Sequence, residues 1–190
     1  MNANRHLFLT GEPQAGKTTL INRLLARHPG WAVKGFCTYM ECTPGHEAIV
    51  TVYIAPITPC DWYRKEEALA GIRLVSRREA FPGAFDRVGA RILRESVGAD
   101  LVIMDELGFL ENEALAFQQT VLETLQGETP VLGVIKPTST PFLDLVRGYP
   151  HVHILAVNPD DREDQYLKAS RFVAAAVQYY QASQHIITHK

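Results

Sequence analysis

Cysteine is scarce in this sequence, with three residues among 190, an odd number without regular spacing. A secreted domain held by disulfides needs paired cysteines, so this scarcity favours a reducing compartment. Long apolar runs are also lacking, since the run from Phe172 to Val177 has only the length that a helix of a globular protein buries. Before Gly11 the apolar stretch Leu7-Phe8-Leu9 is too short for a signal peptide. We therefore expect a soluble, cytoplasmic protein without a membrane partner.

An excess of positive charge is lacking as well. Lysine and arginine number 19 against 21 acidic residues, for a net charge of −2, so nucleic acid is not an expected partner. Hydrophobic residues make up 46 %, enough for a sizeable core, and no repeat or linker divides the chain. A single domain over 1–190 is predicted, with about 182–190 as a flexible tail. Nothing in the sequence identifies a protein partner.

The most informative segment is a glycine-bounded loop. A short apolar strand, Leu7-Phe8-Leu9, leads into a loop between Gly11 and Gly16, and the loop ends in Gly-Lys-Thr. Apolar residues then recur at helical spacing from Leu20 to Leu25. Strand, loop and Gly-Lys-Thr at a helix start form the phosphate-binding loop, or Walker A pattern, in its required context. The alternative is a chance match in a glycine-bearing turn, which the flanking strand and helix disfavour.

Each residue type in this loop suits the binding of phosphate. Gly11 and Gly16 permit backbone conformations that direct N–H groups at phosphate oxygens, and the helix beginning near Gly16 adds its positive N-terminal end. Lys17 is placed to reach the β- and γ-phosphates as an accessible charge, and the Thr18 hydroxyl is placed to bind Mg²⁺. The predicted nucleotide contacts here are Gly11, Glu12, Pro13, Gln14, Ala15, Gly16, Lys17, Thr18 and Thr19.

Hydrophobic patterns along the rest of the chain predict strands that alternate with helices. Further predicted strands are 33–40, 48–55, 72–75, 101–104, 130–135 and 152–157, of which the first two form a hairpin. Further predicted helices are 65–70, 82–97, 112–126, 140–146 and 158–181, the last capped by Asn158. Such alternation is typical of an α/β fold with three layers, in which helices cover a mainly parallel sheet and the hairpin is an insertion.

A second motif, Asp105-Glu106, follows the apolar run Leu101-Val102-Ile103-Met104, which fits a buried parallel strand. An Asp at a strand end beside a phosphate loop anchors Mg²⁺, and the next carboxylate can orient water for attack on the γ-phosphate. Alone, the pattern would better suit a solvent-exposed strand end, but beside the phosphate loop the metal site is favoured. The predicted metal ligands are Thr18 and Asp105, and the predicted catalytic residues are Lys17 and Glu106. We expect the strands of the two motifs to be neighbours in the sheet.

Several segments together resemble the cancer-related nucleoside-triphosphatase family of P-loop proteins, also known from thermophiles. They are Gly11 to Thr19, Gly35-Phe36-Cys37-Thr38, Asp105-Glu106-Leu107-Gly108-Phe109-Leu110-Glu111, and the segment 157–162. The resemblance implies one RecA-like P-loop domain that hydrolyses ATP, GTP and other nucleoside triphosphates with Mg²⁺. It also adds Gly108 to the expected nucleotide contacts, beside Asp105 and Glu106.

The sequence departs from that family's pattern at several positions. Asp161 stands where Asn is usual, Tyr39 and Met40 stand where acids are usual, and residues 61–76 have no clear counterpart. Family roles are therefore not carried over to these positions.

Other residues are weighed against plainer interpretations. Cys37, Cys42 and His46 match no common zinc spacing, so free thiols are favoured. Lys136 follows an apolar strand on the sheet edge of the phosphate loop, where it either senses the γ-phosphate or is a solvated lysine. The arginines available as a transition-state cation are Arg64, Arg73, Arg77, Arg78, Arg147 and Arg162, and nothing in the sequence selects one.

Three functions remain open at this stage. The leading one is Mg²⁺-dependent hydrolysis of a nucleoside triphosphate to the diphosphate and phosphate. A nucleotide or small-molecule kinase is the second, although no arginine-bearing lid is evident. The third is a slow nucleotide-dependent switch, and the absence of an Asn-Lys-x-Asp motif argues against a guanine-specific one.

Overall fold

A computed structural model describes residues 5–43, 45–74 and 77–188. Within these ranges one sheet of eight strands crosses the molecule. The strands are β1 (His6–Thr10), β2 (Val33–Thr43), β3 (His46–Pro56), β4 (Leu69–Arg73), β5 (Arg78–Ala80), β6 (Leu101–Leu107), β7 (Val131–Ile135) and β8 (Val152–Ala156). The helices are α1 (Lys17–Ala26), α2 (Pro82–Ala84), α3 (Ala90–Arg94), α4 (Leu115–Gln126), α5 (Pro141–Arg147) and α6 (Arg162–Thr188). A π-helical turn, Phe85–Gly89, joins α2 to α3, and a 3₁₀ turn spans Lys65–Glu67.

The sheet is mixed, in the order β5-β4-β3-β2-β6-β7-β1-β8. Strands β2, β6, β7, β1 and β8 are parallel to one another, whereas β3, β4 and β5 extend the sheet with antiparallel pairs. The predicted hairpin is confirmed as β2 and β3, and its first strand also belongs to the parallel part. The expectation that the two motif strands are neighbours is wrong, because β7 lies between β1 and β6.

Helices cover both faces of the sheet and give three layers. The alternate residues of β1 show the division, since Phe8 joins the core under α3, α4 and α5, whereas Leu7 and Leu9 join the core under α1 and α6. Strands buried on both faces need apolar residues at every position, which explains the unbroken apolar run 101–104 in β6. The predicted three-layer α/β fold is confirmed.

Two local predictions in the first half of the chain differ from the structure. Residues 65–70 were expected to be helical, but only Lys65–Glu67 form a 3₁₀ turn, and β4 begins at Leu69. Pairing of β4 with β3 buries Ala70 completely, so tertiary packing overrides local helix propensity. Strand β5 has no counterpart in the prediction, and it is a short, fully exposed edge strand that lacks an alternating pattern. The end of the predicted strand 72–75 lies outside the described residues.

The last helix also differs at both ends. Asn158 does not cap it, because its side-chain Oδ1 accepts hydrogen bonds from the backbone N–H groups of Asp160 and Asp161 and closes a separate turn. The helix therefore begins at Arg162 and continues past the predicted end near 181 to Thr188. Residues 182–188 of the expected flexible tail lie in this helix. None of the helices in the described ranges is long and apolar enough to cross a membrane.

Candidate active site

The predicted phosphate loop connects β1 to α1 and depends on two glycines. Gly11 has φ 138° and Gly16 has φ 97°, values that residues with a side chain rarely adopt. At Gly11 a Cβ would also lie 2.2 Å from the carbonyl oxygen of Val157, so the loop passes directly against the end of β8. Gln14, between them, is likewise in the left-handed region with φ 65°. The loop therefore turns inward on itself, as a concave anion site requires.

Helix α1 begins at the end of this loop without a compensating acid. Gly16 occupies its N-cap position and provides no side-chain hydrogen bond, and the first turn contains no acidic residue. Free N–H groups and the positive end of the helix dipole therefore remain available at the loop. This arrangement favours a bound anion such as a phosphate group.

Lys17 lies inside the loop rather than on its surface. Its side chain is only 8 % exposed, and its Nζ donates hydrogen bonds to the carbonyl oxygens of Gly11 at 2.8 Å and Glu12 at 2.7 Å. The expectation of an accessible lysine is therefore wrong, because the loop carbonyls enclose the ammonium group. The positive charge of Lys17 therefore lies within the loop, against its backbone carbonyls.

Thr18 and Asp105 bring the two sequence motifs into contact. The hydroxyl of Thr18 donates a hydrogen bond of 2.9 Å to Oδ2 of Asp105, across the end of β7. Asp105 is buried, and burial raises the pKa of its carboxyl, as does the charge of Glu106, while the Thr18 hydrogen bond and Lys17 oppose the rise. A hydroxyl and a carboxylate at this spacing are oxygen ligands of the kind that Mg²⁺ takes.

Glu106 has a different partner from Asp105. Its Oε1 forms an ion pair of 2.9 Å with Nζ of Lys136, the first residue after β7. Its backbone N–H lies 3.4 Å from the hydroxyl of Thr38 on β2, which explains a polar residue at that point of the strand. Lys136 was left open between a sensor of the γ-phosphate and a solvated lysine. In the structure it pairs with Glu106 and its side chain stays 33 % exposed, so the role as a sensor remains a prediction.

Glu111 is a residue that the site prediction missed. It is 1 % exposed, and its carboxylate accepts a hydrogen bond from the backbone N–H of Gly108. Burial raises the pKa of Glu111 to about 7, with Glu106 adding to the rise and Lys136 opposing it. The signal was present in the sequence, because an acid six positions after Asp105 belongs to the same motif block. The Gly108 N–H is used within the protein here, and its contact with nucleotide stays a prediction.

Several candidate arginines have other partners. Arg147 donates to the carbonyl oxygens of Lys136 and Thr138, Arg64 donates to those of Asp61 and Tyr63, and Arg77 pairs with Glu79. Arg162, in contrast, lies beside the loop, with its Nε 3.8 Å from the position of a Cβ on Gly16. A cavity of about 100 Å³ opens there, lined in part by Thr19, Arg162 and Tyr166.

Cys37, Cys42 and Cys60 are free thiols. Within the described residues no three histidine, cysteine or acidic side chains form a cluster that could hold a metal ion. The side chain of His46 lies outside the described residues.

Comparison with known proteins agrees with this geometry. The model of a family described as NTPase matches residues 6–169 of the chain. Nucleoside-triphosphatase THEP1 of Thermococcus kodakarensis is 29 % identical over 160 residues, which cover 79 % of this chain and 84 % of that protein. Nucleoside-triphosphatase THEP1 of Thermotoga maritima is 27 % identical over 159 residues, covering 82 % and 88 %.

A solved structure has the same fold. The solution structure of a human cancer-related nucleoside triphosphatase aligns with a TM-score of 0.64 and 24 % identity, over 90 % of this chain and 98 % of that one.

Proposed function

The chain belongs to the NTPase family, and from this premise we propose that it converts nucleoside triphosphates to the diphosphate and phosphate with the help of Mg²⁺. The family model and the nucleoside-triphosphatase relatives confirm the resemblance seen in the sequence and the expectation of a nucleoside-triphosphate phosphohydrolase. One observation supports the proposed mechanism above the others, the 2.9 Å hydrogen bond between Thr18 and Asp105. It joins the phosphate loop to the carboxylate pair, so a triphosphate bound at the loop has both within reach.

The loop supplies the binding of the phosphate groups. The N–H groups at the start of α1 and the enclosed ammonium of Lys17 both supply positive charge at the loop. Charge on the transferred phosphoryl oxygens grows or spreads in the transition state, and fixed positive groups stabilise it. We therefore assign Lys17 both to binding and to catalysis.

Mg²⁺ fits the donor set at Thr18 and Asp105. Both side chains provide oxygen atoms, and they already lie within hydrogen-bond distance of each other beside the loop. Mg²⁺ usually binds through one or two protein oxygens together with phosphates and water. Thr18 and Asp105 would hold the ion, which would neutralise negative charge on the phosphate groups.

Glu106 is assigned to the attacking water. Its carboxylate follows Asp105 on β6 but contacts Lys136 rather than Thr18, so the two acids serve different atoms. A carboxylate in this place accepts a hydrogen bond from water and aligns it with the γ-phosphate.

The test is phosphate release from ATP, GTP, CTP and UTP, with Mg²⁺ and with a chelator. Hydrolysis of several triphosphates that stops with the chelator supports the proposal. The same reactions with candidate acceptors separate a kinase, which would transfer phosphate to an acceptor and release little with water alone. Single-turnover release much slower than nucleotide exchange would instead indicate a switch.

We further propose a cytoplasmic location. The three cysteines are free thiols, as a reducing compartment allows. Fractionation of cells that express the protein, with antibody detection in each fraction, tests this directly.

A further inference from the structure

The backbone of Lys136 is fixed to the strand that carries the two acids. Its N–H donates a hydrogen bond of 2.9 Å to the carbonyl oxygen of Leu107, the last residue of β6. Its own carbonyl oxygen accepts a hydrogen bond from Arg147, which also pairs with Asp144 on α5. The position of Lys136 relative to Glu106 is therefore set from two sides.

The side chain of Lys136 follows a defined path to Glu106. It lies against Gly108, where an added Cβ would be 3.0 Å from Cδ of Lys136, and its Nζ is 5.0 Å from the centre of the Phe109 ring. It ends at Oε1 of Glu106, 2.9 Å away. The side chain of Lys136 thus lies beside Gly108 and the Phe109 ring, with its ammonium group on Glu106.

The ion pair between Lys136 and Glu106 is better suited to orienting the Glu106 carboxylate than to stabilising the fold. About a third of each side chain is exposed, and ion pairs so exposed contribute little to the free energy of unfolding. The charge of Glu106 acts on both Asp105 and Glu111, and Lys136 interacts with Glu106 and Glu111. Because Lys136 binds Oε1 of Glu106, the rotation of the carboxylate is restricted and the direction of its other oxygen is fixed.

We propose that Lys136 is a positioning residue that holds the Glu106 carboxylate in the orientation needed to align the attacking water. The inference rests on the proposed function, since it assigns Glu106 to that water. Lys136 acts through Glu106 and not on the phosphate groups directly. Its loss therefore lowers the rate of hydrolysis without weakening the binding of nucleotide.

The test compares Lys136→Met and Lys136→Arg in the parent protein and in the Glu106→Gln background. Single-turnover hydrolysis of ATP gives the rate, and titration with a non-hydrolysable ATP analogue gives the affinity. In the parent we expect Lys136→Met to lower the rate roughly 10²-fold, the usual effect of a misplaced catalytic group, with unchanged affinity. Lys136→Arg should recover part of the rate. In the Glu106→Gln background Lys136→Met should have no further effect.

A matched control is Lys168→Met, which removes an ion pair of 2.7 Å with Asp164 on the exposed surface of α6. It should leave rate and affinity unchanged, and thermal unfolding confirms that all variants are folded. An equal rate loss from Lys136→Met in both backgrounds, or a weaker affinity, would show direct action on phosphate and overturn the inference. So would a parent rate in Lys136→Met. If Glu106→Gln itself keeps the parent rate, the proposed role of Glu106 fails instead.

Discussion

Thr18 and Asp105 are 87 positions apart in the chain, yet the hydroxyl of one donates a hydrogen bond to the carboxylate of the other. The contact spans the end of β7, because β7 lies between β1 and β6 in the sheet. The two motifs thus share one sheet edge while belonging to strands that are separated by a third. The predictions that follow test what each group at this edge contributes.

Lys17→Ala should lower kcat/KM for ATP by about 10²-fold or more, because it removes the positive charge enclosed by the loop. The substitution leaves the carbonyl oxygens of Gly11 and Glu12, whose bonds to Lys17 are part-buried, without this donor, so we expect a stability loss of about 1 kcal/mol. Steady-state hydrolysis and urea unfolding on one preparation measure both. A folded variant with parent kcat/KM would contradict the assignment of the loop.

Glu106→Gln should lower hydrolysis by roughly 10²–10⁴-fold, the usual contribution of a positioned acid–base group. The amide keeps the size of the side chain but removes its charge. Binding of nucleotide should persist, because Lys17, Thr18 and Asp105 remain. Single-turnover hydrolysis beside a binding titration checks this, and near-normal hydrolysis would favour the kinase or switch.

Thr18→Val should raise the Mg²⁺ concentration needed for half-maximal hydrolysis, because it removes the hydroxyl. Valine has nearly the same volume as threonine, so packing should change little. Thr18→Ser is the matched control, since it keeps the hydroxyl and should respond to Mg²⁺ almost as the parent does. Asp105→Asn should resemble Thr18→Val. A Mg²⁺ titration of phosphate release measures the shift, and identical titrations for all variants would remove Thr18 and Asp105 from the metal site.

Glu111→Gln should change how stability depends on pH. Burial raises the pKa of Glu111 to about 7 from an ordinary 4.5, so between these values the folded protein holds a proton that the unfolded chain has released. The carboxyl therefore favours folding below about pH 4.5, and this contribution falls as pH rises to about 7, by roughly 3 kcal/mol at most. Relative to Glu111→Gln, the parent should lose thermal stability over that range. Parallel curves of Tm against pH for the parent and Glu111→Gln would contradict this prediction.

His6→Gln should reveal the opposite dependence. His6 is fully buried, and burial, aided by the charge of Arg5, lowers its pKa from 6.5 to about 4. Between these values the unfolded chain binds a proton that the folded protein does not, so the parent loses stability as pH falls from about 6.5 to 4. Glutamine can still donate to the carbonyl oxygen of Leu125, the partner of His6 Nε2. The variant should therefore gain Tm relative to the parent over that range, as calorimetry would show.

Local signals in the sequence were sufficient for the core of the fold. The unbroken apolar run 101–104 predicted β6, because a strand buried on both faces is apolar at every position. The helical spacing after Gly16 predicted α1, because a helix buried on one face repeats its apolar residues every three or four positions. Strand β5 carries no such pattern and exists through its pairing with β4. The start of α6 was missed because the Asn158 side chain closes a separate turn before the helix. An asparagine can either cap a helix or close such a turn, and residue type alone does not decide between them.

The candidate site was predictable where a motif encodes it and not where the fold assembles it. The loop is predicted from its glycines and the Gly-Lys-Thr at the helix start, and Asp105 from an apolar strand considered together with that loop. The structure brings Thr18 and Asp105 into contact. The pairing of Lys136 with Glu106 depends on the order of β6 and β7, which the sequence does not state. Glu111 was missed although it belongs to the same motif block as Asp105, because its burial and raised pKa arise from tertiary packing, which the motif does not indicate.

The place of β7 in the sheet also sets an order for biosynthesis. Strand β1 pairs with β7 and β8, both of which lie beyond residue 130, so this strand has no sheet partner until those later strands have left the ribosome. Until then its apolar residues Leu7, Phe8 and Leu9 have no strand to pair with, and exposed apolar segments make nascent chains prone to aggregation. A chain that stops before Val131 lacks the strand that β1 and β6 share, so Thr18 and Asp105 have no common frame and the site cannot assemble.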